Sequence, residues 1–287
     1  MNREERAPIH IAWALLATLV AFVLLVLLFQ GTAQLRVVGR HESYSEALSA
    51  VQRSPLTLGL VQAAAFGLVL LLGVRIFAGP SASLRTTLNV RPVPSRVMFL
   101  AFVAGMGLQI PLAELANLIQ IVAPMSPEQM ALQAELFAST DPKAILALFF
   151  AVVLVAPFTE ELFFRGLILR GVTQRHGKLV GWLGSSVLFG LSHPGAIATI
   201  LYSMLAGVAL GFVAMRTQSI LASLVMHAGV NFLPIALPKR VLPIAGFNVP
   251  SELLMHVPAP IVIGSLAITL VALAFLVRYT ELTPNDD

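Results

Sequence analysis

The sequence predicts an all-α polytopic membrane protein, with about eight transmembrane helices in one bundle and an intramembrane active site. Three observations predict this. Of 287 residues, 57% are hydrophobic and only 11% are charged, whereas a soluble domain carries about 25% charged residues. Apolar runs of about 20 residues recur along the chain, the length a helix needs to cross a bilayer core. Inside one such run, residues 144–169, the only charged side chains are Glu160, Glu161 and Arg165. A charge at membrane depth costs roughly 2.5–3.5 kcal/mol on insertion scales, so three in six residues read as functional. The net charge of +4 is scattered over loops, a pattern of membrane orientation and not of nucleic-acid binding. The chain contains no cysteine, which excludes a disulfide framework, a thiolate nucleophile and a Cys-based metal site.

Taken in order, residues 1–8 are polar, and residues 9–29 form the first span. That run is longer than the apolar region of a signal peptide, about 7–15 residues, and reads as a retained helix. Residues 31–55 read as a polar loop with Arg36, Arg40 and Arg53. The second span, 56–77, ends at Gly79-Pro80, and Pro92 and Pro94 break the linker that follows. The third span, 97–122, carries Gln109, Glu114, Asn117 and Gln120, and Pro111 predicts a kink. Glu114 reads as a helix-end or bundle-facing polar residue, not a catalyst. Residues 123–142 connect, with a short interfacial helix expected over 127–137.

The fourth span runs from Lys143 to about Gly171. It exceeds what a bilayer needs, and Pro157 is the expected bend. A basic loop with Arg170, Arg175 and Lys178 follows. The fifth span, 179–193, ends at His193-Pro194-Gly195. The residue before a proline disfavours the α conformation, which places His193 at a helix end. The sixth span, 196–215, carries Gly207 and Gly211, a spacing that permits close helix packing. The seventh, 220–237, carries His227 and Asn231 four apart on one face. A loop over 238–257 holds Lys239, Arg240 and Glu252; the eighth span, 258–277, precedes a tail ending in Asp286 and Asp287. With the N-terminus inside, eleven basic residues fall on the inner side and six on the outer, Arg165 left aside. That bias predicts a plasma (inner) membrane protein with both termini cytoplasmic.

Glu161 and Arg165, four apart on one helix face, can pair and lower the cost of burying both. Glu160 points about 100° away and has no such partner. It is left for a group on another helix or for water. Together with His193, His227 and Asn231 it supplies a carboxylate, two imidazoles and an amide from three neighbouring helices. A carboxylate taken out of water gains base strength and can activate a water molecule. A histidine can assist it, and an amide with a second histidine can stabilise an oxyanion. The same Glu160, His193 and His227 are also candidate ligands for a divalent metal such as zinc, although no His-Glu-x-x-His pair is present. Both chemistries stay open at this level. A proton-coupled transporter uses similar residues, but no second copy of the Glu-Glu motif marks a repeat. A non-catalytic scaffold or immunity protein is the remaining alternative. The Phe163-Phe164 pair, Gly207 and Gly211 read as packing, and His10, His41, His176 and His256 as solvated.

Three motifs in order, Glu160-Glu161-x-x-x-Arg165, Phe189-x-x-x-His193 and His227-x-x-x-Asn231, resemble those of the CPBP intramembrane proteases, also called Abi. That family includes CAAX prenyl endopeptidases and bacteriocin-processing or immunity proteins. The resemblance covers about residues 140–240 and leaves the N-terminal helices, 1–139, and the C-terminal part, 241–287, without a recognised motif. It implies an endopeptidase acting on a membrane-attached or lipidated protein or peptide, with no nucleic acid involved. By motif position it implies Glu160 as the base assisted by His193, His227 and Asn231 as the oxyanion hole, and Glu161 and Arg165 in support. The family's chemistry is described both with and without metal, so the resemblance leaves the cofactor open.

Overall fold

The computed structural model describes residues 8–193, 195–249 and 255–282. Residues 1–7, Pro194, Glu252 and the tail with Asp286 and Asp287 lie outside them. Among the described residues all regular structure is helical. The helices are α1 Ile11–Arg40, α2 Tyr44–Gln52, α3 Pro55–Phe77, α4 Leu84–Thr87, α5 Ser95–Val122 and α6 Pro127–Ala138. They continue as α7 Pro142–His176, α8 Lys178–Leu191, α9 Ile197–Thr217, α10 Ile220–Ala236 and α11 Ala259–Leu282. Six of these, α1, α3, α5, α7, α9 and α11, are long and apolar enough to cross a membrane, and α8 and α10 are shorter apolar helices. The protein is an all-α polytopic membrane protein.

Two parts of the sequence reading are corrected. The basic stretch with Arg170, Arg175 and Lys178 is not a loop: α7 runs to His176 and α8 starts at Lys178, with Gly177 alone between them. Residues 31–55 are not a loop: α1 continues to Arg40, and Ser43 opens α2 with a capping box to Glu46. Arg36 meets Glu42 at 3.0 Å across the break between them. The expected interfacial helix over 127–137 is α6, opened by the same kind of box between Ser126 and Gln129. Pro111 lies within a continuous α5. Glu114, near the end of α5, accepts from the Val257 N–H and from His256 at 2.7 Å each, which ties down the chain entering α11. His10 caps α1, and His176 accepts from the Ile11 N–H.

Small residues set the spacing of the bundle. A Cβ added at Gly105 of α5 would lie 2.0 Å from the Met226 carbonyl oxygen, and one added at Gly229 of α10 would lie 2.4 Å from that of Phe102. The α5–α10 crossing is therefore backbone on backbone, the close approach that only small residues allow. On α9, Gly207 faces Ser186 and Gly211 faces Trp182, both on α8. Phe66, Phe163, Phe164 and Phe189 pack edge to face in the core, with centroids 5.0–5.2 Å apart along the series. Phe163 and Phe164 are fully buried, as packing residues should be.

Helix α7 is not wound evenly. Pro142–Phe149 and Ala156–Glu160 are α-helical, whereas Phe150–Val155 and Glu161–Leu169 are π-helical. The first wide stretch sits just before Pro157, which has no N–H and whose ring clashes with the carbonyl four residues back in a regular α-helix. A π turn relieves that clash, and such turns gather at functional sites. Glu160 ends the short α segment and Glu161 begins the next π segment, so the two carboxylates flank a change of winding.

Candidate active site

Glu160, on α7, is 7% exposed. Its Oε1 accepts from Nε2 of Gln62 on α3 at 2.6 Å. Its Oε2 lies 3.8 Å from His193 Nε2 and 3.7 Å from His227 Nε2. Three helices and the segment after α8 thus converge on one carboxylate.

Both imidazoles are oriented through their other nitrogen. His193 stands two residues beyond α8, and its Nδ1 is 2.7 Å from the Phe189 carbonyl oxygen. A carbonyl oxygen only accepts, so Nδ1 carries the proton. In the neutral ring, Nε2 then presents a lone pair toward Glu160. His227 Nδ1 lies 3.0 Å from Glu161 Oε1, and by the same reasoning donates to that carboxylate. Its Nε2 is likewise turned to Glu160. The ring of Phe189 lies 4.6 Å from that of His193 and 5.6 Å from that of His227, giving the pair an apolar wall.

Glu161 is fully buried and Arg165 is 2% exposed. Arg165 Nη1 donates to Glu161 Oε1 at 2.8 Å, Nη2 donates to the Gly207 carbonyl at 3.2 Å, and the guanidinium lies 4.3 Å from the centre of the Phe189 ring. One arginine therefore joins α7, α8 and α9 while neutralising the carboxylate that orients His227.

Asn231 lies one turn after His227 on α10, and its Nδ2 donates to the Val152 carbonyl at 2.8 Å. The winding of α7 explains the bond. The Ala156 N–H bonds five residues back, to Ala151. In that register the Val152 carbonyl waits for residue 157, which is proline and has nothing to donate. A carbonyl left unpaired in an apolar setting is costly, and Asn231 fills the gap. One of its two amide N–H groups is spent there.

Three polar side chains near the site carried no motif. Gln62 is one. The other pair is Gln109 and Tyr202, where the Tyr202 hydroxyl donates to Gln109 Oε1 at 2.9 Å. The signal that finds Gln62 is plain in retrospect: it is the one hydrogen-bonding side chain between Leu58 and Val74.

Residues 142–233 match the family model described as Type II CAAX prenyl endopeptidase Rce1-like. The match supports assigning this stretch to the CPBP intramembrane proteases. The matched stretch opens with α7 and closes within α10, and it contains Glu160, Glu161, Arg165, His193, His227 and Asn231. No curated protein and no solved structure matches the chain. The match is to a family of CAAX prenyl endopeptidases and supports a CAAX-type intramembrane protease.

Zinc bonds of about 2.0–2.2 Å in tetrahedral geometry hold neighbouring donors about 3.3–3.6 Å apart. The separations here, 3.7 and 3.8 Å, are wider. Among the described residues, no three His, Asp or Glu side chains form a metal-binding group. The donor types suit a metal and their spacing does not, so no step below runs through one.

Proposed function

We propose that this protein cleaves a peptide bond near the C-terminus of a prenylated, membrane-attached protein or peptide, using water activated by Glu160. The observation that carries this reading is a nine-tenths buried carboxylate oxygen with two oriented imidazole nitrogens within 3.8 Å. Water donates one hydrogen to Glu160 Oε2 and the other to His193 Nε2. Glu160 takes the first proton as the water oxygen attacks the scissile carbonyl carbon. The resulting oxyanion faces His227 Nε2, which can donate to it only when both ring nitrogens carry protons, and Glu161 holds the Nδ1–H. The second amide N–H of Asn231 supplies a second donor. Glu160 then returns its proton to the leaving nitrogen as the C–N bond breaks, and the acid product and free amine depart.

The purified protein, given a peptide ending in farnesylated cysteine and three further residues, is expected to release the intact tripeptide, read by mass. Chelators should leave the rate unchanged, and elemental analysis should find no stoichiometric metal. Metal at one equivalent, with activity lost on chelation and regained on zinc addition, would overturn the metal-free route. No cleavage of prenylated or unprenylated peptide would overturn the substrate assignment.

The distribution of arginine and lysine further supports a plasma-membrane protein with both termini in the cytoplasm. Because the chain has no cysteine, single-cysteine variants report orientation on a silent background. Lys239→Cys is expected to react with an impermeant maleimide in intact cells, and Lys178→Cys only after permeabilisation. The opposite pattern inverts the topology.

A further inference from the structure

We infer that Gln62 is a positioning residue for Glu160, so that the N-terminal helices, outside the matched family core, supply part of the catalytic apparatus. The inference rests on Glu160 being the base.

Gln62 lies on α3, in a run that is otherwise apolar from Leu58 to Val74. Its Nε2 donates to Glu160 Oε1 at 2.6 Å. The last torsion of a glutamate is broad and nearly two-fold, so an unheld carboxylate turns freely about it. Fixing Oε1 fixes the carboxylate plane. Oε2 is then the oxygen held toward both imidazoles, at 3.7 and 3.8 Å. Without Gln62, either oxygen can face the rings and their lone-pair directions vary.

The register of α3 against α7 is itself set by packing on both sides of this bond. Gly59, one turn before Gln62, rests on Ala151: an added Cβ would be 3.0 Å from the Ala151 Cβ and 3.2 Å from its Cα. About four turns after Gly59, Gly73 admits Leu167, whose Cδ2 would lie 2.7 Å from an added Cβ. Phe66, between them, packs edge to face on Phe163 at 5.1 Å. Ala151 belongs to the π turn before Glu160, and Phe163 and Leu167 to the one after it. Gln62 is thus clamped at the height of Glu160 by contacts independent of the hydrogen bond.

The test compares wild type, Gln62→Met and Gln62→His on the farnesylated peptide, with the active fraction of each preparation titrated. Methionine keeps the length and loses the donor; histidine restores an N–H. Gln62→Met is expected to lower kcat about ten- to hundredfold, the range for a hydrogen bond to a charged group, with KM within twofold. Gln62→His should recover part of kcat. Wild-type kcat in Gln62→Met, a loss carried by KM alone, or a loss that disappears after correction for active fraction would each overturn the inference. Glu160→Gln separates it from the reading beneath it. An active Glu160→Gln removes Glu160 as base, whereas an inactive Glu160→Gln beside an unimpaired Gln62→Met removes only the role of Gln62.

Discussion

Glu160→Gln is expected to lower kcat by about 10²–10⁴-fold, the range that general acid–base groups contribute. KM and melting temperature should stay near wild type. Glutamine fills the same volume, and its carbonyl can still accept from Gln62, so the packing between α3 and α7 persists. It cannot take a proton from water at neutral pH. The measurement is steady-state cleavage of the farnesylated peptide, with thermal unfolding followed in the same detergent. A kcat within tenfold of wild type would mean that another group accepts the proton. The burial of Glu160, at 7% exposure, makes that outcome informative, because among the described residues the groups paired with its Oε2 are His193 and His227. Glu161, the carboxylate nearest in sequence, is already committed to Arg165 and His227.

Much of this site was legible in the sequence, for a physical reason. Charges are rare in apolar helices, so Glu160, Glu161 and Arg165 stand out against their surroundings. The spacing of four predicted the Glu161–Arg165 bond. The proline after His193 predicted a helix end, and α8 does end at Leu191. Asn231 shows where spacing stops. Its position on the face of His227 was evident, yet its bond to Val152 follows from how α7 winds around Pro157. Proline announced a bend but not two π stretches, because the register a helix adopts beside a proline is decided by what packs against it. Gln62 was missed because a neutral amide in an apolar run gives a weaker signal than a charge, although the same desolvation argument applies to it.

The fold reads in the same way. Span positions follow hydropathy and agree with the helices to within a few residues for α3, α5 and α8–α10. The exceptions are the end of α7, which runs to His176 where a basic loop was expected, and the stretch after residue 30. Residues 31–40 include Gly31, Thr32, Gln34, Arg36 and Arg40, so their mean hydropathy falls and the span appears to stop. Helix formation does not require hydropathy, and α1 continues to Arg40. Ser43-x-x-Glu46 was a visible start signal for α2. A hydropathy pattern does not reveal it, because α2 is too short and too polar to be a span.

Arg165→Met is expected to destabilise the folded protein by about 3–5 kcal/mol, the cost of removing one partner from a buried ion pair. The reason is what remains behind. Glu161 would keep a fully buried carboxylate with His227 as its hydrogen-bonded partner, and the Gly207 carbonyl and the Phe189 face would lose their contacts. Arg165→Lys should rescue little, since an ammonium cannot hold Glu161 and the Gly207 carbonyl together in one planar fork. The double variant Glu161→Gln/Arg165→Met should be more stable than Arg165→Met alone, because it removes the stranded charge. Denaturant unfolding in detergent, followed by loss of helix signal, measures all three. If Arg165→Met unfolds with the wild type, or the double variant is worse than the single, the pair does not hold α7 against α8 and α9. Catalysis should separate from stability in the double variant. Its amide at residue 161 can still accept from His227 Nδ1 but no longer supports an imidazolium as a carboxylate does. Recovered folding with kcat still depressed is therefore the expected result, and it would assign Glu161 to the chemistry of His227 and Arg165 to the cost of placing Glu161 there.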